Sequence, residues 1–202
     1  GHLWKGLPIK LEAEFILREK IEPALKAAGS SLKNIVKCQV YMRDAEDFAP
    51  FNEVWAKFFP KAKPATTLIP TATPGFFLQD ARIEINTIAL TDAGSTRKQI
   101  IDGGVVPAYR GYSQAVRAGD LLFISGLMAV DEAGLVEAAQ ISPAQPYFGS
   151  TVQAQMDVLL KNAQKICRAA GTSLANAVRI QQYHTDLRDI DAIRRAVDAK
   201  QV

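Results

Sequence analysis

The sequence predicts an α+β fold laid down in tandem, and three observations carry that prediction. Residues 27–47 and 169–189 align at a constant offset of 142 with eleven identities: Ala27, Ala28, Gly29, Ser31, Leu32, Asn34, Val36, Gln39, Tyr41, Asp44 and Asp47. One supersecondary unit is therefore present twice. Within each copy the apolar spacing changes from a helical period to a strand period and back. An Ala118-Gly119-Asp120 turn between two alternating apolar runs marks a hairpin. The architecture these features imply is a mixed sheet with two helices packed on one face, repeated.

In copy 1, Leu17, Ile21, Ala24, Leu25 and Ala28 form an apolar stripe that Gly29 can end; in copy 2, Val152, Met156, Leu159, Ala163, Ile166 and Ala170 do the same before Gly171. A strand follows. Val36, Cys38, Val40 and Met42 alternate with Lys37, Gln39 and Tyr41, and Val178 and Ile180 repeat the inward positions before Gln182 and His184 break the pattern. Asp44 and Asp186 can cap a second helix carrying Phe48, Phe51, Val54, Trp55 and Phe58 in copy 1, and Ile190, Ile193 and Val197 in copy 2. Copy 1 continues through an extended segment punctuated by Pro64, Pro70, Pro74 and Gly75 into the strand ARIEINTIAL.

The flanks do not match: copy 1 has no counterpart of residues 109–140 before it, and copy 2 stops before any counterpart of residues 60–90. Residues 1–93 are accordingly expected to form a first module lacking its N-terminal hairpin. Residues 94–106, overlapping a turn-rich stretch from Thr91 to Gly104, read as a linker, and residues 107–202 as a second module lacking its C-terminal strands.

The chain has 202 residues, of which 48% are hydrophobic and 22% charged, a globular composition able to bury one or two cores. No apolar run approaches the roughly 20 residues that span a bilayer, and GHLWKGLPIKLEAEF has no secretory apolar region, so the expected compartment is the cytoplasm. A net charge of +3 is too small to point to a nucleic-acid partner. Cys38 and Cys167 lie at non-equivalent places and form no CxxC pair, which predicts buried free thiols. With two histidines, His2 and His184, no metal site, cofactor or Ser/His/Asp triad is expected, and His184 reads as a hydrogen-bonded strand-end residue. Ser113 and Ser125 have no visible general base beside them, and no GxGxxG or GKS/T motif occurs.

Several segments together resemble the RidA family, also called YjgF or L-PSP endoribonuclease-like. YSQAV (112–116) and LLFISG (121–126) resemble the family's opening; AGSSLKNIVKCQVYMRD, FNEVWAKFFP, KPATT and RIEINTIAL resemble its closing half. The resemblance implies a chorismate-mutase-like fold, modules associating as trimers with clefts between neighbours, and hydrolysis of imines or enamines to a 2-keto acid and ammonium. That chemistry needs a cation for the substrate carboxylate, a placed water and an acid/base group. By resemblance, Glu84 and Asn52 take the catalytic positions, with Tyr112, Ser113 and Gly126 lining the substrate cleft from the hairpin. The family's PAR-T arginine is absent: Pro64-Ala65-Thr66-Thr67 places Thr66 there, and a hydroxyl offers neither the charge nor the planar fork of a guanidinium. Arg82, two residues before Glu84 on the same strand face, is either a replacement cation or a solvent-facing or ion-paired arginine. Thr66 thus keeps two readings open, an imine/enamine hydrolase and a non-catalytic small-molecule-binding or assembly module. An endoribonuclease has less support, since no basic, aromatic-rich stripe is present.

Overall fold

A computed structural model describes residues 8–61, 63–71, 76, 81–105, 111–144, 147 and 149–198. They divide into two units, one of residues 1–100 with 111–125 and the other of 101–110 with 126–202. Residues 72–75, including Pro74 and Gly75 of the expected extended segment, lie outside the described residues.

The first unit begins with α1 (Ile9–Phe15), which runs through a π-helical turn (Ile16–Ile21) into α2 (Glu22–Ala27). Pro23 has no N–H and cannot close the usual i to i−4 bond, and the ladder widens to i to i−5 in the turn that precedes it. The wider turn rotates the expected stripe. Ile9, Glu12, Ala13 and Leu17 are buried, while Ala24 and Ala28 are exposed. Gly29, at φ 66°, closes the helix with a Schellman cap: Ser30 N donates to Leu25 O at 2.8 Å and Gly29 N to Lys26 O at 3.1 Å.

Strand β1 (Ile35–Met42) is central, parallel to β2 (Ala65–Pro70) and antiparallel to β3 (Ile83–Ala89). Its alternation is as expected: Val36, Cys38, Val40 and Met42 are buried, and Lys37, Gln39 and Tyr41 half-buried. Between β1 and β2, α3 (Phe48–Phe58) buries Phe51, Val54 and Trp55. The Trp55 ring lies 5.3 Å from Phe51 and 4.4 Å from Phe59, and such aromatic clusters add about 0.5–1.5 kcal/mol per pair beyond area burial.

The expected linker contributes a strand. Residues Asp92–Arg97 make a 3-10 turn and β4 (Lys98–Ile101) follows, pairing into a second sheet of order β4-β5-β6. β5 (Ala115–Ala118) and β6 (Leu121–Ile124) form the expected hairpin, closed by Gly119 at φ 62° and Asp120. Val116 and Ala118 join Val36 and Ala65 in one apolar cluster. Residues 111–125 therefore complete the core of the first unit, so units and sequence modules differ at the hairpin.

Two half-buried lysines tie these strands together. Lys37 Nζ donates to Thr67 Oγ1 at 2.8 Å and to Ile124 O at 2.7 Å; Lys98 Nζ donates to Lys33 O and Ile35 O, each at 2.7 Å. Burial pushes both amines down from 10.5 to about 8.

In the second unit, β7 (Val130–Asp131) and β8 (Gly134–Leu135) make a small hairpin, followed by α4 (Thr151–Ala169) and α5 (Ile190–Asp198). Ser150 caps α4, its Oγ accepting from Gln153 N. Met156 and Leu160 of α4 pack on Ile193 and Ala196 of α5. Gly171, at φ 73°, repeats the first unit's cap, with Thr172 N on Cys167 O at 2.9 Å and Gly171 N on Arg168 O at 3.0 Å. Asp186 caps the 3-10 turn that precedes α5, accepting from Arg188 N, whereas Asp44, expected to cap likewise, makes no side-chain cap bond.

The repeat breaks after the cap. Residues 177–184, counterparts of β1, form no strand; Val178 is 90% exposed where Val36 is 1%, and Ile180 48% where Cys38 is 0%. A strand requires neighbours for its backbone groups, and among the described residues no strand pairs with this segment. Both cysteines are free and buried, as expected.

Two outcomes follow from this packing. A Cβ on Gly103 would lie 2.7 Å from Ile166 Cγ1 and 2.8 Å from its Cα, so Gly103→Ala is expected to lower urea stability of the second unit by about 1–3 kcal/mol. For Lys37, the folded amine loses its proton near 8 and the unfolded one near 10.5; between these the unfolded chain holds more protons, so stability rises with pH. Urea midpoints should shift in favour of the wild type over Lys37→Met as pH climbs through that window, and a pH-independent difference would contradict the burial.

Candidate functional site

Two of the residues expected at the cleft meet directly. Asn52 lies on α3 and Tyr112 just before β5, and the Tyr112 hydroxyl donates a short hydrogen bond to Asn52 Oδ1. The phenol is held edge-on by Trp55, at 6.0 Å between centroids and 73° between planes. Tyr112 is buried and Asn52 half-buried, so the pair sits at the margin of the aromatic core.

A second set of bonds joins the start of β2 to the ends of the hairpin. Ser113 bridges Ala65 in parallel fashion and its hydroxyl donates to Lys63 O at 2.6 Å. Ser125 Oγ accepts from Thr66 N at 2.8 Å and donates to Ser113 O at 2.5 Å. Thr66 is 2% exposed and its hydroxyl donates to Pro64 O at 3.2 Å. The hydroxyl standing where the resemblance expects an arginine thus has its only hydrogen engaged by the backbone.

Glu84 and Arg82 are held elsewhere. Glu84 stands opposite Tyr41 on β3, exposed, accepting from Asn86 Nδ2 at 3.1 Å. Its neighbours Ile83 and Ile85 pair with Met42 and Val40, so Glu84 lies on the other face of the sheet from that buried row. Arg82 forms a two-pronged pair with the buried Asp47, Nε and Nη2 each at 2.9 Å, and Asp44 lies 3.4 Å from Nη2. The arginine is thus ion-paired within the first unit. Gly126 is half-buried, follows Ser125 and is grouped with the second unit. The hydrogen bonds traced above join Asn52 to Tyr112 and Thr66 to Ser113 through Ser125; they do not extend to Glu84, Arg82 or Gly126.

Two further groups escaped the sequence reading. Glu12 is 1% exposed; Oε1 accepts from Arg82 N at 3.0 Å and Ile83 N at 3.3 Å, while Oε2 has no partner among the described residues. Burial raises its carboxyl above the usual range, against the pull of those amides and of Arg82 and Arg43. Its place on the Ile9, Ala13, Leu17 stripe was the available signal. In the second unit an open groove of about 330 Å³ is lined by Gln182, His184, Ile190, Ile193, Arg194 and Val197, and His184 Nε2 lies 3.2 Å from Gln182 Oε1. Arg194 stands one repeat offset from Asn52. Among the described residues no cluster of His, Cys, Asp and Glu could hold a metal ion, and no helix is long and apolar enough to cross a membrane.

Relatives share parts of this chain. A RutC family protein of Pyrococcus horikoshii is 39% identical over 89 residues, 44% of this chain and 67% of that protein. The 3-aminoacrylate deaminase RutC of Acinetobacter baylyi is 35% identical over 71 residues, 35% of this chain and 54% of that protein. Among solved structures, yeast Mmf1 is similar at 34% identity and a TM-score of 0.40, covering 43% of this chain and 66% of its own. The chain thus spans between about half and two thirds of the length of these relatives. Residues 12–91 and 105–200 both match the endoribonuclease L-PSP family. With two segments matched, together most of its length, the chain is a two-module member of that family, the one also known as RidA or YjgF.

Proposed function

We propose that this protein is a small-molecule hydrolase of the imine/enamine deaminase type, converting an amino-acid-derived enamine to a 2-keto acid and ammonium. The observation that carries the reading is the hydrogen bond between Tyr112 and Asn52, which joins two family positions 60 residues apart in sequence. A relative named 3-aminoacrylate deaminase supports the same reaction class. In this reading the Tyr112–Asn52 pair orients the substrate nitrogen or the attacking water, and Glu84 moves the proton. Glu84 lies on the sheet face away from Met42 and Val40, so the reading places the complete cleft between associated copies, as the family resemblance implies. Self-association would then be a condition of activity.

A second reading, a binding module without turnover, is favoured by Thr66, whose hydroxyl is engaged by Pro64 O and brings no positive charge to a carboxylate.

Ammonium release from freshly generated 2-aminoacrylate separates the two. The hydrolase reading expects release by the wild type, falling roughly 100-fold in Glu84→Gln and in Tyr112→Phe with folding retained. Thermal stabilisation by 2-keto acids without any release would leave the binding module in its place.

A further inference from the structure

Lys37 is placed as few lysines are. On the half-buried row of β1, its Nζ spans to β2 and β6, and both acceptors there, Thr67 Oγ1 and Ile124 O, are uncharged. Among the described residues no carboxylate pairs with it, whereas the exposed Lys10 is paired with Glu53 at 2.5 Å.

Counting hydrogens identifies the form this setting suits. An ammonium carries three N–H donors, and a neutral amine two donors and a lone pair. Two acceptors match the neutral amine and leave its lone pair unengaged; an ammonium would have a third donor without a described partner. Burial acts in the same direction, holding the amine at about 8 rather than 10.5. Desolvated lysines of this kind serve as Schiff-base nucleophiles.

We propose that Lys37 is a carbonyl-reactive amine that forms imines with small 2-keto acids at the junction of β1, β2 and the β5–β6 hairpin. This deepens the deaminase reading and rests on it for the choice of ligand. The Nζ lone pair adds to the carbonyl carbon, and the carbonyl oxygen takes up a proton to give a carbinolamine. Its C–O bond then breaks, water leaves, and loss of the remaining N–H proton completes the C=N bond. With an imine of ammonia as the reactant, the same addition gives a geminal diamine that expels ammonia. Water then hydrolyses the lysine imine, releasing the 2-keto acid and restoring the amine, so no oxidant or reductant is consumed. The Thr67 hydroxyl, 2.8 Å from Nζ, is positioned to pass the proton. Activation through a covalent imine also needs no guanidinium at position 66.

The test is reductive trapping. The full chain is incubated with pyruvate and cyanoborohydride at pH 8, digested, and each lysine's adduct is quantified by mass spectrometry. The expected result is a reduced adduct several-fold more abundant on Lys37 than on Lys10, Lys57 or Lys98, and lost from that position in Lys37→Arg. Adducts spread over surface lysines with Lys37 unlabelled, or concentrated on Lys98, would overturn the proposal. Mapping the wild type is decisive even where the variant fails to fold. Paired with the ammonium assay, the outcomes separate: an adduct without release keeps Lys37 and removes the deaminase, while release without an adduct keeps the deaminase and removes Lys37.

Discussion

Backbone pairing on both sides of one strand is the constraint on which the first unit depends. Ile35–Met42 is flanked by Ala65–Pro70 on one side and Ile83–Ala89 on the other, so its peptide groups are satisfied and its inward side chains can be fully buried. The duplicated stretch in the second unit shows what the same pattern does without such neighbours. Its helix, its Schellman cap and the short turn after the cap are all reproduced, yet the segment after them forms no strand. Helical structure satisfies itself within the segment, whereas a strand's apolar alternation is an offer that other segments must take up.

The hairpin supplies the second half of that constraint. Val116 and Ala118 cover Val36 and Ala65, and Leu90 and Phe123 close the cluster. Seating those residues fixes what precedes and follows them: Tyr112 against Trp55 and Asn52, and Ser113 and Ser125 against the start of β2. The candidate site is thus a by-product of core packing. Its polar atoms are few and mostly bonded to backbone.

Much of this was legible in the sequence. Gly29 and Gly171 ended their helices, Val36 through Met42 alternated as read, Gly119-Asp120 turned the hairpin, and both thiols are buried. What was not legible has physical reasons. Pro23 shifts the helical ladder by one residue and so turns Ala24 and Ala28 out of the stripe that Leu17 begins, which spacing rules for an undistorted helix cannot register. β4 forms because β5 presents an edge to it, a tertiary fact that a turn-rich composition conceals. Whether Arg82 faced solvent, a substrate or Asp47 depended on a partner 35 residues away. Lys37 read as an ordinary outward lysine, since only the seating of Ile124 over it changes its setting.

The central claim, that neighbour strands and not local pattern make β1, is tested most directly by amide hydrogen exchange followed residue by residue in the full chain. The account predicts strong protection for Val36, Cys38 and Val40, and exchange close to the unprotected rate for Val178 and Ile180 in the same molecules. Equal protection of the two stretches would contradict it.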